Sequence, residues 1–385
     1  MIKRTKRVMT NEERIAYRRR RKRMRKLQIY CEMAFIAVAI IVGATLIVTH
    51  IHGGKKASMK VETEAAEEIQ KAAEPEVETE SGLKVSAMAG TEEEEQVSQD
   101  AEETQIEDEP VATSGSYSAS ESEDTVSIGG DIVSQYGILI NNNTKKVVAT
   151  RNANEKIVPA SMTKVMTVLV AANHISPEQL DEKITMSHEA IDYSYAGGGS
   201  TSGFVEDEEV TVKDLFYGTI LPSGGDAAAQ LAMYVAGDVD SFVKLMNEEA
   251  SNLGISSSTH FTNPVGFHSS EHYSTPYDIA IIMMAALDND ICKEVITTKV
   301  YNSTATNVNP EGITISNWFL RRIEDKEFGG EIEGAKTGYV DESGSCAVSS
   351  MVSESGTEYI CCTAKSTSSW RCIYDHVDIY KNYAK

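Results

Sequence analysis

Residues 61–128 carry 21 Asp and Glu against two Lys, and Tyr117 is their one aromatic side chain. Such a stretch cannot bury enough apolar area to offset the entropy of ordering its backbone, and its like charges hold it extended. Any hydrophobic core must therefore lie in the chain that follows. We read residues 50–128 as a disordered acidic spacer, and the run Glu92 to Glu95 within it as solvated charge rather than a metal site.

Upstream the charge reverses. Residues 1–28 hold 13 Lys or Arg against two Glu, including an unbroken basic run from Arg18 to Arg23. A nearly continuous apolar run from Met33 to Val48 follows, and with Ile29 and Tyr30 it reaches the roughly 20 residues needed to cross a bilayer. Positive charge before the run predicts residues 1–28 as a cytoplasmic arm, 29–49 as a single transmembrane anchor, and everything beyond as exported. A cleaved signal peptide is the competing reading. The positive region is long for one, however, and His50 to Lys56 offers no small-X-small cleavage site. The adjacent span accounts for the basic arm without a nucleic-acid partner.

From Gly129 onward the chain has regular apolar patterning and Gly/Pro punctuation, and residues 129–385 are long enough to bury a substantial core. Gln135 to Ile140 and Lys145 to Thr150 read as two strands joined by a polar turn. Ser161 to His174 reads as a helix so apolar on most faces that it belongs in the centre of the domain. Thr211 to Asp214 has capping-box spacing for a helix that should break at Pro222 to Gly225, with another resuming at Asp226. Further helices are expected over Asp240 to Leu253, after the N-cap and first-turn proline Thr275-Pro276, and over Trp370 to Tyr383. Glu331 to Thr337, Ser345 to Val352 and Glu358 to Ala364 read as strands. Strands at both ends of a helical middle predict an α+β fold with one antiparallel sheet flanked by helices. Five cysteines (Cys292, Cys346, Cys361, Cys362, Cys372) fall in this part, an odd number that leaves disulfide pairing open. Cys361 and Cys362 alternate faces of a strand, which is poor metal-ligand geometry.

A serine hydroxyl is a weak nucleophile until a base takes its proton. Ser161 has such a neighbour in Lys164, three residues on and so on the same face of a helix, near a helix N-terminus that favours developing negative charge. Alone, Ser-X-X-Lys is a frequent accident. Here it is joined by Ser223 in a helix-breaking turn and by Lys336-Thr337-Gly338, flanked by small Gly334 and Ala335 and followed by Tyr339, in a predicted strand. Three elements in this order match the serine penicillin-binding signature.

On Pro159 to Lys164, Asp214 to Gly218, Ser223 to Ala228, Asn263 to Phe267 and Lys336 to Gly338, nearly all of residues 129–383 resembles the low-molecular-weight serine D-alanyl-D-alanine carboxypeptidases, a penicillin-binding family. The resemblance implies a β-lactamase/penicillin-binding-like fold with a helical subdomain. It also implies activity on bacterial peptidoglycan stem peptides ending in D-Ala-D-Ala, covalent inhibition by β-lactams, and no cofactor or metal. Carried over by position, Ser161 would form the acyl-enzyme, Lys164 would be its base and Ser223 a proton relay. Lys336 and Thr337 would hold the terminal carboxylate beside Gly338, with the amides of Ser161 and Tyr339 as the oxyanion hole.

The second motif departs from the family in having Gly225 where an asparagine usually stands, so either a neighbouring group or water substitutes for the amide or turnover is weakened; if the missing amide limits turnover, restoring it is expected to raise kcat/KM. Two other functions share most of these residues. A β-lactamase would need a carboxylate for deacylation, for which Glu248 and Asn252 have suggestive spacing on what reads as a solvated helix face. A non-catalytic muropeptide or β-lactam sensor would have no physical need for the full set of polar side chains. Gly197 to Gly203 lacks the Lys-Ser/Thr ending of a phosphate loop, and the loop context of His268 and His272 argues against zinc.

Overall fold

The computed structural model describes residues 117–385; the basic arm, the expected span and most of the acidic spacer lie outside the described residues. The strands are β1 (Val126–Ser127), β2 (Tyr136–Asn141) and β3 (Lys146–Arg151), then β4 (Lys183–Thr185) and β5 (Glu209–Thr211), β6 (Val300–Asn302) and β7 (Thr314–Ser316), and finally β8 (Gly330–Val340), β9 (Gly344–Ser353) and β10 (Glu358–Ser366). The helices are α1 (Thr163–Asn173), α2 (His188–Ala196), α3 (Val212–Ile220), α4 (Gly225–Ala236), α5 (Val239–Asn252), α6 (Pro276–Asp288), α7 (Asp290–Thr297), α8 (Trp318–Ile323) and α9 (Ser369–Tyr383).

In β2, Ile138, Leu139 and Ile140 are all buried, because the strand lies inside a sheet covered on both faces. That sheet has the order β1-β3-β2-β10-β9-β8, antiparallel except where β1 runs parallel to β3. It is therefore mixed rather than wholly antiparallel. Ile138, Ile140, Val348 and Cys362 face the larger core, which contains α1 and α6, whereas Leu139, Ala347, Met351 and Cys361 face the smaller one under α8 and α9. Cys361 and Cys362 thus do alternate. All five described cysteines are buried and free, so disulfides contribute nothing to the described fold.

Helix α1 is buried from Thr163 to Ala172, as its composition requires. The capping box at α3 forms as expected, with Thr211 Oγ1 accepting from Asp214 N at 3.0 Å and Asp214 Oδ2 accepting from Thr211 N at 3.0 Å. Thr275 Oγ1 caps α6 ahead of Pro276, accepting from Asp278 N at 3.0 Å.

The folded region starts earlier than residue 129. Ala119 N donates to Tyr277 Oη at 2.9 Å, Thr125 Oγ1 donates to Val147 O at 2.7 Å, and β1 extends the sheet beside β3. Backbone and hydroxyl hydrogen bonds hold this largely polar segment, with Tyr117 and Ala119 packed against the larger core and Ile128 buried in the smaller one. A composition argument assigns such a segment to the spacer for that reason. Among the described residues no helix is long and apolar enough to cross a membrane.

Candidate active site

The chain enters α1 through a 3₁₀ turn, Ala160–Met162, not through the first turn of the helix itself. Ala160 has φ +47°, and Ser223, across the site, has φ +63°. Non-glycine residues in this region carry strain that surrounding structure must over-determine, and such strain clusters at functional sites. Ser161 is left half-buried at the mouth of the turn, with Lys164 one turn beneath it.

Lys164 Nζ lies 3.0 Å from Ser161 Oγ and donates to Val265 O at 2.8 Å. Its side chain is fully buried, and this burial, reinforced by the Lys336 charge and opposed by Asp226, holds its pKa well below that of an ordinary lysine. Both leading causes favour the neutral amine, whose lone pair can accept the serine proton. Lys336 Nζ donates to Ser223 Oγ at 2.8 Å and to Thr337 O at 2.8 Å. Burial pushes its pKa down to about 7.

Strand β8 is an edge strand, and at Gly338 its backbone runs against the nucleophile's turn. An ideal Cβ on Gly338 would sit 3.0 Å from Ser161 N and 3.1 Å from Ala160 Cβ. The main chain of residues 337–339 thereby faces the amide of Ser161 with no side chain between them. Thr337 is half-buried beside Lys336, while the Tyr339 ring is 63% exposed. Its hydroxyl donates to Asp341 Oδ1 at 2.9 Å, which leaves the backbone of Tyr339 as the part near the reaction centre. Ser161, Lys164, Ser223, Lys336, Thr337 and Gly338, drawn from three distant parts of the sequence, thus converge at one place.

Two supports were not assigned a role from sequence. Asn263 Oδ1 accepts from the amides of Val265, Gly266 and Phe267 at 3.1, 2.7 and 3.0 Å, shaping the loop whose Val265 carbonyl receives Lys164. His272 is buried and accepts Thr262 N on Nδ1 at 3.0 Å, so its Nε2–H donates to Thr163 Oγ1 at 2.9 Å. Burial lowers its pKa to about 4 and keeps it neutral. Both ring nitrogens are thereby committed to tying that loop to α1 instead of binding a metal. Among the described residues no group of His, Cys, Asp and Glu could hold an ion.

Gly225 has a steric cause. A Cβ there would lie 2.7 Å from Ser194 Oγ and 3.2 Å from Val265 Cγ1, so Ser194 of α2 fills the space that a longer residue needs. This packing sets a steric cost against any gain from a restored amide. Gly225→Asn should instead lower kcat/KM about tenfold or more, because relieving the clash displaces the Val265 segment that holds Lys164. Adding Ser194→Gly should recover part of the loss. Steady-state kinetics of the single and double variants checks this, and a rise in the single variant would contradict it.

Glu248 is exposed on α5, and Asn252 Nδ2 donates to Glu249 Oε2 at 3.1 Å, so neither shares a hydrogen bond with the site. The deacylating carboxylate that a β-lactamase needs is not supplied by this pair.

The arrangement, built on a mixed sheet between helical layers, has the parts that acyl transfer by a serine with a lysine base requires. The sequence profile of D-alanyl-D-alanine carboxypeptidase matches residues 119–363, and the chain belongs to that family. Among curated relatives it is 35% identical over 216 residues to D-alanyl-D-alanine carboxypeptidase DacF of Bacillus subtilis, covering 55% of this chain and 52% of that protein. It is 33% identical over 220 residues to a D-alanyl-D-alanine carboxypeptidase of Streptomyces sp. strain K15, covering 55% and 74%. The crystal structure of the Streptomyces K15 DD-transpeptidase superposes with a TM-score of 0.59 at 31% identity, covering 66% of this chain and 98% of that one. The chain spans about half the length of the B. subtilis relative.

Proposed function

We propose that this protein is a serine-type D-Ala-D-Ala carboxypeptidase that removes the terminal D-alanine of peptidoglycan stem peptides through an acyl-enzyme. The observation that carries this reading is the pair of buried lysines, one 3.0 Å from Ser161 Oγ and the other 2.8 Å from Ser223 Oγ. Lys164 accepts the proton of Ser161 as Oγ attacks the carbonyl of the penultimate D-Ala. The amides of Ser161 and Tyr339 bind the developing oxyanion, and one such donor is commonly worth about 3 to 4 kcal/mol. Lys336 and Thr337 hold the terminal carboxylate. Ser223, bonded to Lys336, relays that proton from Lys164 to the departing amine and D-alanine leaves; water then gives a proton to the freed Lys164 amine as it attacks the ester, and that proton passes to Ser161 Oγ as the shortened peptide departs. A β-lactam would enter the same path and stop at the ester.

Transfer of the acyl group to an amine instead of water is a second reading, favoured by the likeness to a DD-transpeptidase over 98% of that chain. Incubating the full-length protein with a peptide ending in D-Ala-D-Ala, with and without an amine acceptor, tests both. D-Alanine release without acceptor supports hydrolysis. Release that depends on the acceptor supports transfer, and no release in either case contradicts the proposal.

The proposal extends to location. Residues 29–49 would anchor the chain once in a bacterial cell membrane, with residues 1–28 inside and the catalytic domain outside on the acidic spacer, because the basic arm resists translocation. Protease added to intact cells with a permeable wall should then remove the catalytic domain. Its survival until lysis would reverse the topology.

A further inference from the structure

We propose that Asp226 is a positioning residue for acylation, its buried carboxylate supplying the negative charge against which Lys164 becomes an ammonium as it takes the proton of Ser161. This rests on the reading of Ser161 as nucleophile and Lys164 as its base. Their proton transfer creates a positive charge in a buried place that Lys336 already shares, and water is not there to solvate it.

The start of α4 is shaped to hold a carboxylate. Asp226 follows Ser223 by three residues and is 1% exposed. A Cβ on Gly224 would lie 2.7 Å from Asp226 Oδ1, so the carboxylate occupies space that a side chain at 224 would need. Oδ1 accepts from Ser202 N at 2.8 Å and from Ala227 N at 2.9 Å, which fixes the group. Oδ2 is buried with no hydrogen-bond partner among the described residues. Burial raises the pKa of Asp226, while the Ser202 and Ala227 amides and its place in the first turn of α4 favour the anion. A buried anionic oxygen left without a donor is costly unless its charge serves a neighbour.

The neighbour is Lys164. Its amine bonds only neutral oxygens, Ser161 Oγ and Val265 O, and Lys336 bonds only Ser223 Oγ and Thr337 O. Unscreened by water, charges act here over longer distances than at the surface. Two act on Lys164: Lys336 from β8 disfavours its ammonium, and Asp226 from α4 favours it. The other titratable groups of the packed elements are neutral or engaged elsewhere. Burial pushes Cys346 of β9 and Tyr193 of α2 up to about 12, and His272 is neutral. Asp214 of α3 accepts from Thr211, Tyr301 and Thr304, and Asp240 of α5 is exposed.

The test follows penicillin acylation of full-length protein against pH in the wild type and in Asp226→Asn, which keeps the size of the side chain and its Oδ1 acceptor. In the wild type the rate should climb to a plateau as Lys164 loses its proton. Without the Asp226 charge the climb should move about one pH unit lower, because the ammonium is less favoured, and the plateau should fall about tenfold, because the amine is a weaker base. The two curves should therefore meet at acid pH and part above it. A purely structural loss lowers the rate equally at every pH and leaves the climb in place; that result, or identical curves, would overturn the proposal. If penicillin does not acylate the wild type, the serine-acylation reading fails, and carbon-13 NMR of the full-length wild type still tests the charge pairing, as it does if the variant does not fold. The Asp226 Cγ signal should show a step at the pH where Lys164 Cε titrates, and its absence would overturn the pairing.

Discussion

Ser161→Ala should release no measurable D-alanine and take no covalent label from penicillin, a loss of at least about 10³-fold, while its thermal unfolding should stay close to that of the wild type. The substitution removes the atom that bonds to the substrate carbonyl, and the half-buried hydroxyl contributes little packing. Lys164→Ala should be nearly as damaging to both reactions. Its amine is held at 3.0 Å from Ser161 Oγ and driven toward neutrality by burial, and no other described side chain shares a hydrogen bond with that oxygen. Because the two groups act as one unit, the double variant should be little worse than either single one. Release of D-alanine and time-resolved penicillin labelling check this. Additive losses would mean that Lys164 acts elsewhere than on Ser161.

Gly266→Ala should be the most disruptive small substitution at the site. Gly266 has φ +94°, where residues with a Cβ are strained, and its Cβ would fall 1.8 Å from the carbonyl oxygen of Ala160 and 2.9 Å from Ser161 N. The loop and the nucleophile's turn cannot both keep their places. Strain and overpacking together predict a loss of about 2–5 kcal/mol in stability. They also predict at least a hundredfold slower penicillin acylation, because the same loop presents Val265 O to Lys164. Gly130→Ala provides the control, having φ +68° but open space around its Cβ position, so it should cost about 1 kcal/mol and leave acylation alone. Thermal unfolding and acylation rates of the two variants measure both effects. Equal behaviour would show that the close approach of Gly266 to Ala160 is not what positions the serine.

How far the sequence revealed this arrangement depends on whether the signal was local. The capping box at Thr211 and Asp214, the Thr275-Pro276 start of α6 and the apolar character of α1 are read within a few residues, and each appears as expected. The three reactive motifs were also legible, since each names its own chemistry. What remained hidden were contacts between distant segments. Nothing near Gly225 in the chain announces that Ser194 occupies its side-chain space. Gly197 and Gly199 resembled part of a phosphate loop, yet a Cβ on Gly197 would fall within the Phe267 ring's contact distance, so these glycines make a seat for that ring. The block Asn263 to Phe267 was visible as a family feature, but its work, cradling a loop whose carbonyl holds Lys164, depends on three backbone amides turning toward one side-chain oxygen. Residues 117–128 escaped because their few apolar side chains, Tyr117, Ala119 and Ile128 among them, are too scattered to make a local pattern and meet the core only in the fold.

The central claim is that Ser161 is the nucleophile of an acyl-enzyme. Mass spectrometry of penicillin-treated full-length protein, followed by peptide mapping, tests it most directly. The expected result is one adduct per chain, located on Ser161, long-lived in the wild type and absent from Ser161→Ala. An adduct on any other residue, or full D-alanine release by Ser161→Ala, would contradict it.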